Sequence, residues 1–298
     1  MSNSYTIKLP GEVSIGLASD SPLPIGPNEQ LLLGAYLPGA EITASPSTHQ
    51  TASVRHVESA DAGLEQGDGQ VEVRGTWNGE MSADLPHLLY GIARAAWIKR
   101  GIYPVHAACV EDADGQAVLL PGHSGVGKSS VSLALATKYG HKMIAGNTTL
   151  IEFAPDGSMQ VIGGTETMTL KTSDFTASGI QATEQMAYGD RTAFRLPAEQ
   201  YAGAGRAHKI GRIALVQLSG RPPQQQALEP ASALHQLYPH FTDSFRQDVI
   251  VCDGHGVFVG DEPTSSRQAL ASKLATALQH TPVVRLNGDL PFVTERLV

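Results

Sequence analysis

The sequence predicts an α/β fold. It should hold a mixed sheet with a phosphate-binding loop (P-loop) on a central strand, and a small N-terminal β-rich region beside it. Three observations predict this. The run Gly122-His123-Ser124-Gly125-Val126-Gly127-Lys128-Ser129 follows an apolar segment and opens a helical one. Strand-like and helical runs alternate from about residue 83 onward. The first eighty residues are instead broken by Pro22, Pro24, Gly26, Pro27, Pro38, Gly39 and Pro46. The expected division is residues 1–82 for the β-rich region and 83–298 for the loop-bearing domain.

Taken in order, the N-terminal region offers strand-like runs at 5–9, 13–17, 31–37, 54–57 and 71–73. His49 and His56 stand alone there and read as surface or turn histidines. A helix follows, because Leu85, Leu88, Leu89, Ile92 and Ala96 recur on one face. Asp84 suits its N-cap, Pro86 its first turn, and Gly101 its end. This helix should cover a sheet and join the two regions. Strands are expected at 103–110, 117–120, 142–145, 149–153 and 159–162, then at 213–217, 248–252, 256–259 and 282–286. Helices are expected at 128–139 and 265–278. Gln224-Gln225-Gln226 reads as a polar loop.

Composition excludes several classes. A formal net charge of −8 opposes non-specific nucleic-acid binding, which depends on phosphate neutralisation. Only two cysteines occur, Cys109 and Cys252, so a disulfide framework is not expected. There is no run of 18 apolar residues to cross a membrane, and the first residues lack the pattern of a signal peptide. A cytoplasmic protein is the expectation.

The loop carries the chemistry. Gly122, Gly125 and Gly127 let backbone N–H groups curl around phosphate oxygens, and the helix that begins at Lys128 adds its positive end. His123, Ser124, Val126 and Ser130 complete the cradle. Lys128 is expected to reach the β/γ-phosphates, and Ser129 to ligate Mg²⁺.

Two hairpins aim further residues at it. With Asp114-Gly115 as a two-residue turn, Val110 faces Leu119 and His106 falls opposite His123. With Asp156-Gly157 as a second such turn, Ile151 faces Ile162 and Asn147 falls opposite Glu166. His106 could then orient a group, take a proton or contact a phosphate. Asn147 and Glu166 could form a polar pair near Mg²⁺ or the acceptor; the other reading of Glu166 is a solvated hairpin residue.

The residues Val105-His106-Ala107-Ala108, Leu119–Ser130 and Gly140–Ala145 resemble the catalytic domain of HPr kinase/phosphorylase and its relatives. The resemblance covers about residues 85–170. It implies an HPr-kinase-like core, similar in fold to phosphoenolpyruvate carboxykinase, and ATP- and Mg²⁺-dependent phosphorylation of a hydroxyl. One departure matters. The family carries an Asp-Asp pair where this chain has Gly146-Asn147, and His123 replaces the aspartate beside the phosphate loop. Glycine can act neither as base nor as ligand, and asparagine can hydrogen-bond but not accept a proton. His106 or His123 could take over proton acceptance, and Glu166 could replace a metal carboxylate. Hexamers are common in that family, so a homo-oligomer stays open.

Other residues offer further candidates. Lys171, in the alternating run Thr165-Thr167-Thr169-Lys171, could neutralise a transferring phosphoryl group. Arg206 and Lys209 could belong to a basic loop over the phosphates. Asp253 and Asp261-Glu262 end apolar runs and could offer carboxylates. His235, His240 and His255 share no metal-ligand spacing. The leading expectation is a kinase that uses Lys128, His106, Asn147 and Glu166 to move the γ-phosphoryl group of ATP to a small-molecule hydroxyl. A nucleotide-binding sensor without turnover and a protein or peptide serine kinase are the alternatives.

Overall fold

The computed structural model describes residues 3–23, 25–45, 50–67, 69–76, 84–203, 205–243, 249–251, 256–258 and 264–298. It is a mixed α/β structure, as the alternation of strand and helix patterns predicts.

The N-terminal region forms a six-stranded sheet from β1 (Ser4–Leu9), β2 (Val13–Ser19), β3 (Glu41–Thr43), β4 (Ala52–Val57), β5 (Gly63–Gly67) and β6 (Gln70–Arg74). The strand order is β3-β1-β2-β4-β6-β5. The β1–β2, β1–β3 and β5–β6 pairs are antiparallel, and β2–β4 and β4–β6 are parallel. Helix α1 (Pro27–Gly34) replaces the strand expected at 31–37. Pro27 is pre-set for a first helical turn, and the Glu29 carboxylate accepts from the Gly26 N–H at 2.9 Å, so the local start signal outweighs the apolar run. His56 is fully buried, held by Ser19 Oγ at 2.8 Å and the Gly75 carbonyl at 2.9 Å; it is not a surface histidine. His49 lies outside the described residues.

Helix α2 (Asp84–Lys99) turns Leu85, Leu88, Leu89, Ile92 and Trp97 into one core with Ile7, Ile15, Leu17 and Val54 of the N-terminal sheet. The Trp97 indole Nε1 donates to the Pro10 carbonyl at 2.8 Å. The helix therefore shares a core with residues on the far side of the 82/83 boundary.

The central sheet comprises β7 (Tyr103–Glu111), β8 (Ala117–Pro121), β9 (Lys142–Ala145), β10 (Thr148–Phe153), β11 (Met159–Gly164), β15 (His208–Leu218), β16 (Gln224–Leu228) and β19 (Val283–Gly288). Its order is β11-β10-β7-β8-β15-β19-β16, with β9 also paired to β7. The β8–β15 and β15–β19 pairs are parallel and the rest antiparallel, including the β11–β15 contact that closes one edge. A three-stranded sheet of β12 (Met168–Lys171), β13 (Glu184–Tyr188) and β14 (Arg191–Arg195) lies beside it, and β17 (Val249–Val251) pairs with β18 (Gly256–Phe258). Gln224–Leu228 is an exposed edge strand rather than a loop, because its backbone completes the ladder of β19.

Strand alternation sets the two faces of the central sheet. Val105, Ala107, Cys109, Ala117 and Leu119 pack under α5 (Pro230–Thr242) and α6 (Thr264–Ala277). Ala108, Val110, Val118 and Leu120 pack under α3 (Lys128–Lys138) and α7 (Leu290–Glu295). Helix α4 (Thr172–Ser178) follows β12. No helix among the described residues is long and apolar enough to cross a membrane.

Candidate functional site

The glycine-rich loop runs from the end of β8 to the start of α3. Its backbone explains its glycines. Gly125 and Gly127 take φ of +85° and +104°, a region that side-chain-bearing residues rarely adopt. A Cβ on Gly127 would also meet Leu218 at 2.4 Å. The Leu218 N–H donates to the Val126 carbonyl at 2.9 Å, which ties the loop to β15.

Lys128 is the first residue of α3 and is 6% exposed. Its Nζ donates to the carbonyls of Gly122 at 2.7 Å and His123 at 2.9 Å. Burial lowers its pKa to about 8, so near neutral pH a desolvated cation is held over the loop. A cavity of about 230 Å³ opens there, lined by Ser129, Ser130, Lys128, Gly146 and Asn147, with Lys171, Asp174 and Arg191 opposite.

His106 enters this cavity because it is in phase with Ala108 and Val110, on the α3 face of β7. The hairpin register differs from expectation. Cys109 faces Leu119 and Ala107 faces Pro121, one residue out from the expected pairing. The Asp112 side chain accepts from the N–H groups of Asp114 and Gln116, and Gly115 has φ +76°. The connection is thus a three-residue turn with a left-handed glycine rather than a two-residue turn. His106 still reaches the loop, but His123 is not across from it. The His123 ring is exposed and stacks edge-on against His240 at 4.9 Å, lining a separate cleft with His235 and Gln217.

The second hairpin is shifted the same way near its turn, where Phe153 faces Met159 and Ile151 faces Val161. A bulge between Leu150 and Ile151 then restores the expected pairing, so Thr149 faces Gly164. Beyond it the ladder ends. The Asn147 N–H donates to Thr165 Oγ1 at 2.9 Å, and Asn147 turns its side chain to the His106 ring. Glu166 parts company with it. Thr165 and Thr167 on either side are buried, while Glu166 is exposed, its carbonyl accepts from the Tyr201 hydroxyl at 2.7 Å, and it does not line the cavity. The expected Asn147–Glu166 pair is not formed, and Glu166 is not placed to ligate a metal beside Ser129.

Arg206 is elsewhere too. It pairs with Glu111 at the far end of β7, and Lys209 lies in β15, so neither residue covers the glycine-rich loop. Asp253, His255 and Asp261-Glu262 lie outside the described residues. Cys109 is buried, and burial raises its thiol pKa, which leaves an inert thiol.

Burial pushes the His106 pKa down to about 4, reinforced by the Lys128 charge, while Asp243 and the Asn147 hydrogen bond act the other way. The ring is neutral at neutral pH and able to accept a proton. Asp243 and Asp174 are the carboxylates that sequence reasoning missed here. Neither ends an apolar strand nor belongs to a motif, so only the fold brings them in.

A second cavity, about 390 Å³, adjoins the first and shares His106, Ser124, Asn147, Thr169 and Arg191 with it. Its other walls include Tyr36, His87, Tyr90 and Tyr188. These come from the turn after α1, from α2 and from β13, segments that no sequence motif joins. As to oxygen donors for a divalent cation, Ser129 and Asp174 line the first cavity together. Among the described residues, no cluster of three or more His, Cys, Asp or Glu side chains could hold a metal without further ligands.

No protein-family model matches this sequence, and no curated protein matches it either.

Proposed function

We propose that the chain is a phosphotransferase that moves the γ-phosphoryl group of ATP to a hydroxyl of a small molecule. In this reading the glycine-rich loop is a P-loop and the central sheet is an HPr-kinase-like core. The observation that carries it is the Lys128 ammonium, buried at the start of α3 over a glycine-rich turn and opening into a cavity that joins a second, ring-lined one. A binding loop alone would not need the second cavity.

The residues divide the work. Backbone N–H groups of 122–129 and the α3 N-terminus hold the phosphates. Lys128, with Lys171 lining the same cavity, offsets the charge on the transferring group. Ser129 and Asp174 would hold Mg²⁺ brought in with the nucleotide, and that ion would neutralise phosphate charge. The acceptor oxygen forms a bond to the γ-phosphorus as the bond to the β-phosphate oxygen breaks, and ADP leaves. The hydroxyl proton passes to neutral His106, which Asn147 orients. A base with a pKa near 4 is weak, but phosphoryl transfer through a loose transition state asks little of a base.

The test is turnover of γ-labelled ATP with Mg²⁺ and a fractionated extract. Label in a small-molecule fraction, absent with Lys128→Ala, is the expected result. Label on protein would favour a serine kinase, and tight binding without any transfer would favour a sensor.

A further inference from the structure

We propose that the second cavity is an acceptor site for a ring-bearing hydroxy acid, its ring held by Tyr36, His87, Tyr90 and Tyr188 and its carboxylate by Arg191. The assignment rests on the phosphotransferase reading and names its substrate class.

Position comes first. The two cavities share His106 and Asn147, so an acceptor in the second presents its hydroxyl where Lys128 and the loop meet it. Shape comes next. The space is about 390 Å³, within the roughly 300–1,000 Å³ range of small-ligand sites. Its aromatic walls are fixed rather than free. Tyr36 and His87 meet edge to face at 4.8 Å, Tyr36 hydrogen-bonds Tyr188, and Tyr90 hydrogen-bonds Thr148. With the Tyr36 hydroxyl engaged by Tyr188 and the Tyr90 hydroxyl by Thr148, these rings offer apolar faces to a ligand, which suits a flat ring.

Charge decides the rest. Among the described residues lining this cavity, Arg191 is the one lysine or arginine, and none is an Asp or Glu. A carboxylate entering here would meet the Arg191 guanidinium. Arg191 Nη2 donates to Thr169 Oγ1 at 3.1 Å, which steadies its planar fork for a two-oxygen anion. The walls also explain the N-terminal region. Tyr36 follows α1, so residues outside the loop-bearing domain complete the acceptor site.

The test is calorimetric binding to the full chain without nucleotide, using three probes. 3-Phenyllactate carries ring, hydroxyl and carboxylate; 3-phenylpropane-1,2-diol lacks the carboxylate; lactate lacks the ring. The expected order places phenyllactate at least about tenfold tighter than either of the others. Arg191→Gln should erase the preference over the diol while diol binding persists, a switch that misfolding does not produce. Tyr188→Ala should weaken both ring probes, and Tyr188→Phe should restore them. Equal binding of lactate and phenyllactate, no binding of any probe, or a ratio untouched by Arg191→Gln would each overturn the assignment. ATP binding is measured in parallel. If ATP binds and the probes do not, the ring-acid site falls and the kinase stands; if the probes bind and ATP does not, the kinase falls and the ring-acid site stands.

Discussion

Thr148 faces His106 across the β7–β10 ladder. That pairing carries the preceding Gly146-Asn147 step to the mouth of the glycine-rich loop, where Asn147 meets the His106 ring. The two positions of the step differ in what they tolerate. A Cβ on Gly146 would come within 2.6 Å of Met168 Cγ, whereas Asn147 already carries a side chain into the cavity.

Asn147→Asp should therefore fold, and Gly146→Asp should not fold as well. The first keeps size and shape and adds a charge beside His106, which raises the ring's pKa. The second forces Met168 aside and buries a carboxylate, at a cost of about 1–3 kcal/mol. Urea unfolding of both variants checks this. A Gly146→Asp chain as stable as the parent would show that Met168 yields freely.

Lys128→Met should abolish phosphoryl transfer yet leave stability nearly unchanged. The buried ammonium is desolvated, so removing it relieves a penalty that offsets the loss of its bonds to Gly122 and His123. A fall in turnover of at least ~10²-fold is expected with the melting temperature within a few degrees. A large drop in melting temperature would mean that the lysine holds the loop together rather than serving its ligand.

Nucleotide affinity should fall above pH 8. Lys128 titrates at about 8 in the free protein, and bound phosphates favour its charged form. Binding then takes up a proton, and affinity drops by up to about tenfold per pH unit above that point. Titrations at pH 7, 8 and 9 read it directly; a flat profile would place the triphosphate away from Lys128.

Stability should decline as pH falls from about 6.5 toward 4. His106 has a folded pKa of about 4, below its ordinary value of 6.5, so protons bind the unfolded chain more tightly. Its contribution is fully present above the unfolded value and lost as pH falls through the folded one. Its share is on the order of 3 kcal/mol. His240, His87 and His208 are also lowered, burial first, and add in the same direction. Unfolding free energies at pH 7.5 and 5, compared with those of His106→Gln, isolate the share. Equal slopes in both chains would remove His106 as a cause.

Legibility followed the range of the forces involved. The loop, α2, β9 and α3 were readable because each is set by local signals: glycines at turns, apolar spacing, an apolar run before a helix start. Near their turns both hairpins sit one residue from the pairing that an Asp-Gly turn predicts, because a left-handed Gly115 or Gly157 makes a three-residue turn that the Asp-Gly pair alone does not announce. Helix α1 hides in the pattern because its three leucines look like a strand more than its proline start looks like a helix. Helix α5 was missed because Pro239 sits within it. Tyr36, Tyr188 and Arg191 had no signature at all, since their meeting depends on how α1 packs on the β12–β14 sheet.

The last prediction concerns the join between the two regions. Trp97 is fully buried, and its indole N–H reaches back to the Pro10 carbonyl between β1 and β2. Around it Leu85, Leu88, Leu89 and Ile92 of α2 pack on Ile7, Ile15 and Leu17. A chain cut to residues 83–298 would leave this face of α2 in water, so it should bind hydrophobic dyes and aggregate rather than stand as a folded domain. Trp97→Phe is the milder version. It keeps a ring but leaves a half-buried carbonyl unpaired and opens a gap, at about 2–4 kcal/mol. Because Tyr36 reaches the second cavity from the N-terminal region, the same change should weaken ring-acid binding more than ATP binding. A variant that loses both ligands equally would show that the two regions form one cooperative unit with no separable role for the join.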